Sequence, residues 1–213
     1  EIKYTSRGKP RIDSIKKDSF FNHYYTSSNL DSDSPGGLLV LSRFPIESSK
    51  LYKLASPSGR KFLLVQIRIN GYFINFGTLH LESPIEDSAV RINQLKEISF
   101  RLDETYAILA GDFNFNDGDK EEKYSLFNRF IDPWKTLRPN ETGYTYDIHR
   151  NTLAKENAFP NEKSRRLDRI LLSSKYSVKD VGLVKQDLIN TGWPPSDHEG
   201  LYVDINWPPE GGF

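Results

Sequence analysis

Residues 61–81 read KFLLVQIRINGYFINFGTLHL, and two apolar runs in this stretch flank the dipeptide Asn70-Gly71. Asn-Gly between two such runs is the strongest short-range signal for a β-hairpin, because both residues tolerate the positive φ angles of a tight turn. The stretch predicts two antiparallel strands, the second of which ends at His80. At least part of the sheet is then antiparallel, which favours a mixed sheet over an all-parallel one.

The rest of the chain predicts helices interspersed among further strands. Ser83 and Glu86 match a capping box with Pro84 at the first helical position, and the apolar spacing that follows predicts a helix reaching Leu102. Upstream, residues 12–21 predict a short amphipathic helix before a strand at residues 24–25. The other predictions are a helix over 121–131, a polar loop over 153–164, and strands over 38–44, 106–110, 144–148, 167–173, 178–184 and 200–205. This pattern is typical of mixed sheets covered by helices, an α/β (α+β) fold.

The bulk composition excludes several classes of function. The chain has 213 residues, which fits one large domain, and its 29 basic and 29 acidic residues balance to a net charge of zero. A strongly basic nucleic-acid footprint is therefore absent in bulk, although a local basic patch stays open. The absence of cysteine excludes disulfides, thiolate metal sites and cysteine nucleophiles. No apolar run approaches the roughly 18 residues of a membrane helix, and no signal peptide is recognisable.

The chain has no methionine and begins with Glu1, so we expect a processed chain or an excised fragment. The compartment stays open at this stage, with an intracellular location, nuclear or cytoplasmic, favoured.

Polar residues that can do chemistry follow or open the predicted strands. His80 closes one strand, Asp112 and Asn114 follow another, and Asp168 lies within a third. The triplet Ser196-Asp197-His198 lies immediately before the last strand. Strand ends at one edge of a sheet are close in space, so we expect these side chains to share one cleft.

Each of these residues also has an ordinary structural explanation. Asp112, Asn114 and Asp197 are common turn residues, and His80 is compatible with a core position at a strand end. Ser83 is expected to cap the following helix whatever else it does. Asp168 is harder to explain in this way, because a carboxylate in an apolar strand is buried and needs a partner. Candidate partners are Arg166, Arg169 or a histidine.

The combination of residue types favours phosphoester hydrolysis. Carboxylate and amide oxygens without cysteine suit Mg²⁺ or Mn²⁺. A histidine paired with a buried aspartate is fixed in its tautomer and stabilised as an imidazolium ion, which favours the negative charge of an in-line displacement at phosphorus. The chain lacks both the G-x-S-x-G elbow of serine hydrolases and the P-loop motif.

Four motifs together carry a family resemblance. They are TLHLES (78–83), GDFN (111–114), RLDRI (166–170) and SDH (196–198). In this order they resemble the endonuclease/exonuclease/phosphatase superfamily, the DNase I-like fold, over about residues 37–205. Within it, HLES, YTYD (144–147) and RLDRI are most similar to the 5′-tyrosyl-DNA phosphodiesterase branch.

The resemblance implies a four-layer α-β-β-α sandwich of two mixed sheets, formed by residues 1–213 as a single domain. It also implies a divalent cation, Mg²⁺ or Mn²⁺. By motif, Asp112 would orient or deprotonate the attacking water, and Asn114 would position that water and the phosphate. His198, oriented by Asp168, would stabilise the transition state. The remaining expected roles are phosphate or leaving-group contact for His80, metal or water-shell ligation for Asp197, and substrate contact for Ser83 and Tyr146.

Two departures from the family pattern bear on this expectation. The metal-binding glutamate of the family follows an early strand, and Glu1 is the candidate here, which implies truncation before it and the loss of one strand and its asparagine. The branch also carries substrate-gripping arginines after its GD-x-N motif, where this chain has the acidic residues 116–119, NDGD. A basic patch elsewhere would have to come from Arg150, Lys163, Arg165 and Arg166.

The leading hypothesis is therefore a metal-dependent phosphodiesterase that acts on DNA ends, such as 5′-phosphotyrosyl adducts. An alternative keeps the chemistry and changes the substrate to other nucleic acids, sugar phosphates or lipid phosphates. A third hypothesis is a catalytically silent binding scaffold. In the enzyme hypotheses the partner is DNA or another phosphodiester, without a membrane, and the protein is a monomer.

Overall fold

A computed structural model describes residues 24–27, 37–102, 105–184 and 193–207. Its centre is a mixed six-stranded sheet with the spatial order β3-β4-β5-β6-β8-β7. The strands are β3 (Ile46–Lys53), β4 (Lys61–Ile69), β5 (Tyr72–His80), β6 (Ala107–Asp112), β7 (Phe130–Ile131) and β8 (Asp168–Ser173). Within this sheet β5 and β6 pair in parallel, and the other neighbours are antiparallel.

The predicted hairpin is confirmed as the pair β4–β5. Its turn residues have positive φ angles, 48° at Asn70 and 90° at Gly71, as a tight hairpin turn requires. The parallel neighbour β6 follows through α1 (Ser88–Arg101), since parallel strands need a crossover connection.

The two faces of the sheet are covered by different layers. On one face, Leu95 and Ile98 of α1 pack in one cluster with Phe62, Leu79 and Leu109. The other face packs against an antiparallel pair, β9 (Val178–Val184) and β10 (Gly200–Ile205). A further short pair is β1 (Tyr25–Thr26) with β2 (Leu41–Ser42), and two short helices are α2 (Pro133–Leu137) and α3 (Thr152–Asn157). The expected α/β class, with a mixed sheet between helices and further β-structure, is confirmed.

Strand periodicity decides which face each polar residue occupies. Ile108, Ile170 and Leu172 belong to the cluster that packs against β9 and β10. Residues two apart on a strand lie on the same face, so Asp112 shares the face of Ile108, and Asp168 shares that of Ile170. The same count from Ile74, another member of this cluster, places His80 there. The cleft residues therefore lie between the two β layers, and α1 covers the opposite face.

Several local predictions were wrong. Residues 121–131 form two 3₁₀ turns, Lys120–Lys123 and Ser125–Asn128, followed by β7, because Phe130 pairs with Ser173 at the sheet edge. The strand expected over 144–148 is reduced to one bridge between Tyr146 and Arg165, and the loop expected over 153–164 begins within α3.

Two further elements differ at their ends. Only Leu41–Ser42 of the strand expected over 38–44 is regular, and β3 escaped prediction because its sequence, IESSKLYK, is polar. A 3₁₀ turn, Ile85–Asp87, precedes α1 without a side-chain cap, so Ser83 does not cap that helix. The helix predicted over residues 12–21 lies outside the described residues. Among the residues that are described, no helix is both long and apolar enough to cross a membrane.

Replacing Gly111 with Ala should prevent normal folding. Gly111 has a φ of 143°, and a Cβ there would lie 2.1 Å from the carbonyl oxygen of Leu79 on the neighbouring strand. We expect a loss of more than about 3 kcal/mol in the free energy of unfolding, measured by urea denaturation.

Gly118→Ala is the matched control. Gly118 also has a positive φ, 84°, but a Cβ there meets nothing within 4 Å. Its expected destabilisation is about 1 kcal/mol, from backbone strain alone. Equal losses in the two variants would contradict the steric explanation for Gly111.

Candidate active site

Three candidate residues form a row across the centre of the sheet. His80 closes β5, Asp112 closes β6 and Asp168 opens the antiparallel strand β8. The register pairs His80 with Asp112, and Asp112 with Asp168, as direct neighbours. The Nε2 atom of His80 lies 3.4 Å from Oδ2 of Asp112. The structure thus brings together residues that are far apart in the sequence, as predicted.

His198 reaches this row from the turn before β10. Its Nδ1 atom lies 2.7 Å from Oδ2 of Asp168. The ring packs edge-on against Tyr146 at a centroid distance of 5.4 Å, and its backbone N–H donates to Oγ of Ser196. These contacts fix the imidazole from several sides. Of the partners considered for Asp168, the histidine is the one that bonds it.

The row opens into a cleft of about 290 Å³ between the β layers. The cleft contains five of the predicted site residues together with part of the segment before β2. Its lining residues are Gly37, Leu38, Leu39, Thr78, Leu79, His80, Gly111, Asp112, Asp168, Pro195, Ser196, Asp197 and His198.

The two histidines carry opposite charge states. Burial, aided by the positive charge of Arg60, lowers the pKa of His80 from 6.5 to about 3, so His80 is neutral near pH 7. Burial also disfavours charge on His198, but the hydrogen bond and charge of Asp168 outweigh it and raise the pKa to about 9. Burial and the neighbouring Asp168 raise the pKa of Asp112 to about 6.

A hard cation fits the carboxylates of this cleft. Ligand atoms of Asp112, Asp168 and His198 all lie within 4.8 Å of one another. Because of its high pKa, His198 is protonated and donates hydrogen bonds, so it is not a metal ligand. The ligands in this group are then the carboxylate oxygens of the two aspartates, which suits a divalent metal with oxygen ligands. Burial and the like charge of Asp168 raise the pKa of Asp112, and a cation bound by the two carboxylates would offset both effects. Of the two ligands expected from the sequence, Asp197 lines the cleft, and Glu1 lies outside the described residues.

Asn114 and Ser83 lie beside the end of β6. Asn114 has a φ of 55°, and its backbone N–H donates to Oδ1 of Asp112 at 2.8 Å. The side-chain amide donates to the carbonyl of Leu81 at 2.9 Å and to Oγ of Ser83 at 3.4 Å. A guanidinium N–H of Arg60 also donates to Ser83 Oγ. Sequence reasoning missed Arg60, because it follows a polar loop and no motif marks it.

Comparisons with known proteins show the family of the chain. Residues 1–198 match the Endonuclease/Exonuclease/phosphatase family. The chain belongs to this family. A curated relative, tyrosyl-DNA phosphodiesterase 2 of Mus musculus, is 32% identical over 155 residues, which cover 69% of this chain and 41% of the relative. The expected resemblance to that branch is confirmed, and the chain matches less than half the length of this relative.

Solved structures confirm the DNase I-like fold. D. rerio TDP2 complexed with a single strand DNA product superposes with a TM-score of 0.78 at 24% identity, covering 96% of this chain and 84% of that one. Beta toxin from Staphylococcus aureus gives a TM-score of 0.64 at 22% identity, covering 91% of this chain and 80% of that one. Identities this low establish the shared fold alone.

In this family member, the arginines flanking Asp168 lie away from the cleft. Arg166 donates to Asp117 and Asp132, each at 2.6 Å, and Arg169 donates to Asp117 at 3.2 Å. Both arginines are 1% exposed, so Arg166 does not belong to a surface basic patch as expected. Burial raises the pKa of Asp117, but the hydrogen bond and charge of Arg166 and the charge of Arg169 outweigh it and hold that pKa well below its usual range.

The acidic segment 116–119 therefore has a structural explanation. Asp117 compensates two buried guanidinium groups, and the side-chain oxygen of Asn116 accepts the backbone N–H of Arg166. Oδ2 of Asp119 accepts the N–H of Asn116, which closes the turn. The segment attaches the loop after Asn114 to the start of β8.

Helix α3 holds the turn that carries His198. Asn151 caps this helix through its side-chain oxygen, and its amide donates to the carbonyl of Ser196 at 2.9 Å. Asn157, at the other end of the helix, donates to Oδ2 of Asp197 at 3.0 Å. Sequence reasoning missed both residues, although Asn151 before Thr152 is a typical helix start. Asp197 thus lines the cleft with one oxygen held by α3.

The ring of Tyr146 packs behind the site, against His198. It is 6% exposed, and its hydroxyl donates to the carbonyl of Ala154 in α3 at 3.0 Å. The ring contacts His198 directly, so in this structure Tyr146 supports the imidazole. Its predicted contact with substrate stays a prediction.

In the metal-free protein, NMR titration should show His198 protonated up to a pH of about 9 and His80 neutral down to a pH of about 3. Folding raises the pKa of His198, so its proton stabilises the folded state fully below pH 6.5, and this stabilisation is lost as the pH rises through about 9. Asp168→Asn should remove the raised pKa and flatten that part of the stability profile. A wild-type His198 that titrates at or below 6.5 would contradict this assignment.

Asp117→Asn should destabilise the fold, because it removes a carboxylate from two buried arginines. We expect a loss of about 2–4 kcal/mol in the free energy of unfolding, below the largest values for buried pairs because Asp117 is 36% exposed. Asp119→Asn, two residues away at the surface, is the control and should lose less than about 1 kcal/mol. Chemical denaturation checks both, and similar losses would count against the network.

Proposed function

We propose that this chain is a divalent-metal-dependent phosphodiesterase that hydrolyses phosphodiesters by in-line attack of water, at DNA ends such as 5′-phosphotyrosyl adducts. The observation that carries the proposal is the row of His80, Asp112 and Asp168 with His198 bonded to its end. The row combines a buried carboxylate, a neutral imidazole and an imidazolium ion within one cleft.

Asp112 is the proposed base or orienting group for the attacking water. Its carboxylate lies at the floor of the cleft, with Oδ2 beside His80, where it can orient or deprotonate a bound water. Asn114 is tied to Asp112 by its own backbone N–H, so its amide has a defined place beside the base. We assign Asn114 to positioning the water and the scissile phosphate.

His198 is the proposed stabiliser of the transition state. The bond between its Nδ1 and Asp168 holds the ring at the cleft, and the imidazolium ion favours the negative charge that develops on phosphorus-bound oxygens. Asp168 orients the ring. His80, neutral and next to Asp112, is assigned to the phosphate or leaving-group oxygen.

The proposed cofactor is Mg²⁺, with Mn²⁺ as the alternative. Asp112 and Asp168 supply carboxylate oxygens in the cleft, and Glu1 and Asp197 are the further proposed ligands. Such an ion polarises phosphoryl oxygens and neutralises their charge.

The proposed substrate rests on the names of the relatives. The curated mouse relative is named for tyrosyl-DNA phosphodiester cleavage, and the D. rerio structure holds a single strand DNA product. Arg60 contributes positive charge beside Ser83 and Asn114, and both of these residues are proposed to contact the substrate. The acidic segment 116–119 does not oppose DNA binding in this proposal, because Asp117 is neutralised by Arg166 and Arg169.

Asp112→Asn should lower the rate of hydrolysis of 5′-phosphotyrosyl single-stranded DNA by about 10²- to 10⁴-fold, because the amide cannot accept the proton of water. His198→Ala should also lower the rate strongly. Asp119→Asn, which lies outside the cleft, should retain the wild-type rate. The rates are measured with Mg²⁺, with Mn²⁺ and with EDTA.

A panel of substrates tests the specificity part of the proposal. It contains tyrosyl-adducted, abasic and undamaged DNA, a sugar phosphate and a lipid phosphate. Faster hydrolysis of a phosphoester other than DNA would overturn the proposed substrate, but it would leave the proposed reaction in place. Absence of turnover on the whole panel with either metal would favour the binding scaffold.

A further inference from the structure

Thr145 lies behind the cleft. Hydrogen bonds connect it to the main chain at Asp168 and at the residue that follows His198. Thr145 is fully buried. Its Oγ1 accepts hydrogen bonds from the backbone N–H groups of Leu167 at 3.1 Å and Asp168 at 3.0 Å. Its carbonyl accepts the N–H of Glu199, the residue after His198, at 2.7 Å.

In the described part of the chain, neither the pairing of β7 with β8 nor the bridge between Tyr146 and Arg165 includes Leu167 or Asp168, whose N–H groups bond to Thr145 instead. At Asp168, β8 pairs with β6 along one edge, and the carbonyl of Leu167 accepts the N–H of Phe113 on that side. Along the other edge, β7 pairs only with Leu172 and Ser173. A hydroxyl oxygen accepts two hydrogen bonds, and Thr145 uses both to close this open stretch.

The geometry of the pair depends on these bonds. The carboxylate of Asp168 projects from the first residue of β8, so a shift of that backbone changes its 2.7 Å contact with His198. The turn at His198 is attached to the same threonine through Glu199. Thr145 therefore holds two main-chain segments, one that carries the acceptor Asp168 and one that carries the donor His198 of the same hydrogen bond.

We propose that Thr145 is a positioning residue, which sets the distance between Asp168 and His198 and thereby the orientation of the imidazole in the cleft. The effect of Thr145 on the rate of hydrolysis rests on the proposed function. Its effect on the Asp168–His198 pair rests on the hydrogen bonds alone. Thr145 touches neither substrate nor metal in this role.

The test compares Thr145→Val with Thr145→Ser. Valine keeps the shape and the main-chain carbonyl but offers no acceptor to Leu167 and Asp168. Serine keeps the acceptor and loses only a methyl group. Thr136→Val is the matched control, because Thr136 is an exposed threonine of α2 whose hydroxyl donates to the carbonyl of Asp132. Leu95→Ala, in the core cluster under α1, supplies a variant with lowered stability and an intact Thr145.

The first readout is independent of activity. In metal-free, ¹⁵N-histidine-labelled protein, the Nδ1–H proton of His198 should give a downfield, slowly exchanging signal, assigned by its loss in His198→Ala. We expect the signal in wild type, Thr145→Ser, Thr136→Val and Leu95→Ala, and its loss or fast exchange in Thr145→Val. Amide exchange at Leu167 and Asp168 should accelerate in Thr145→Val by more than in Leu95→Ala, which measures the acceleration that lowered global stability alone causes.

The second readout is steady-state kinetics on the substrate that the wild type turns over. Thr145→Val should lower kcat by about 10- to 100-fold with a KM within about twofold of wild type, because a misplaced imidazolium loses transition-state stabilisation. Thr145→Ser should retain a kcat within about threefold of wild type, as expected when the acceptor is kept. Leu95→Ala should retain a normal kcat below its Tm.

Each failure has a separate meaning. A Thr145→Val protein with the wild-type Nδ1–H signal and kcat but a lower Tm would overturn the positioning role. If the wild type hydrolyses nothing, the proposed function fails, and the NMR comparison still decides the role of Thr145. If Thr145→Val does not fold, Thr145→Ala replaces it, because alanine also removes the acceptor and presents no methyl group of valine to the two N–H groups; an unchanged signal in that variant would overturn the proposal.

Discussion

The lateral pairing of β5, β6 and β8 is the constraint on which the site depends. It places His80, Asp112 and Asp168 side by side on the face that packs against β9 and β10. Because side chains alternate along a strand, a slip of one residue in any of these pairings would move a site residue to the opposite face. The apolar residues Ile108 and Ile170 oppose such a slip, since it would remove them from the cluster that packs against β9 and β10.

The central sheet separates two ionic pairs, one on each of its faces. The cleft face has the bond between His198 and Asp168, and the neighbouring residue Arg169 points to the other face and is bound by Asp117. Alternation between Asp168 and Arg169 thus places two ionic arrangements on opposite faces of the sheet. One leaves an imidazolium ion beside a cleft, and the other buries the guanidinium group of Arg169, which lies 4.3 Å from the ring centre of Phe115.

The segments outside the sheet complete the site through hydrogen bonds. Thr145 accepts N–H groups at the start of β8, and Asn151 and Asn157 of the α3 region hold the turn with Asp197 and His198. None of these segments is a long regular element, so their positions follow from individual polar contacts. Tyr146, buried between α3 and His198, adds the packing surface against which these contacts are set.

The sequence by itself determined strands β4, β5, β6 and β8 of the central sheet, because Asn70-Gly71 specifies a local turn and the runs that lead to His80 and Asp112 have local periodicity. It also determined the family, through motifs that contain the site residues. Only the tertiary structure decided the partner of Asp168, the burial of Arg166 and the contacts of Arg60 and Thr145. The physical reason is that local patterns specify elements, whereas a charge or a hydroxyl group chooses its partner among residues that are brought near it only when strands and loops pack.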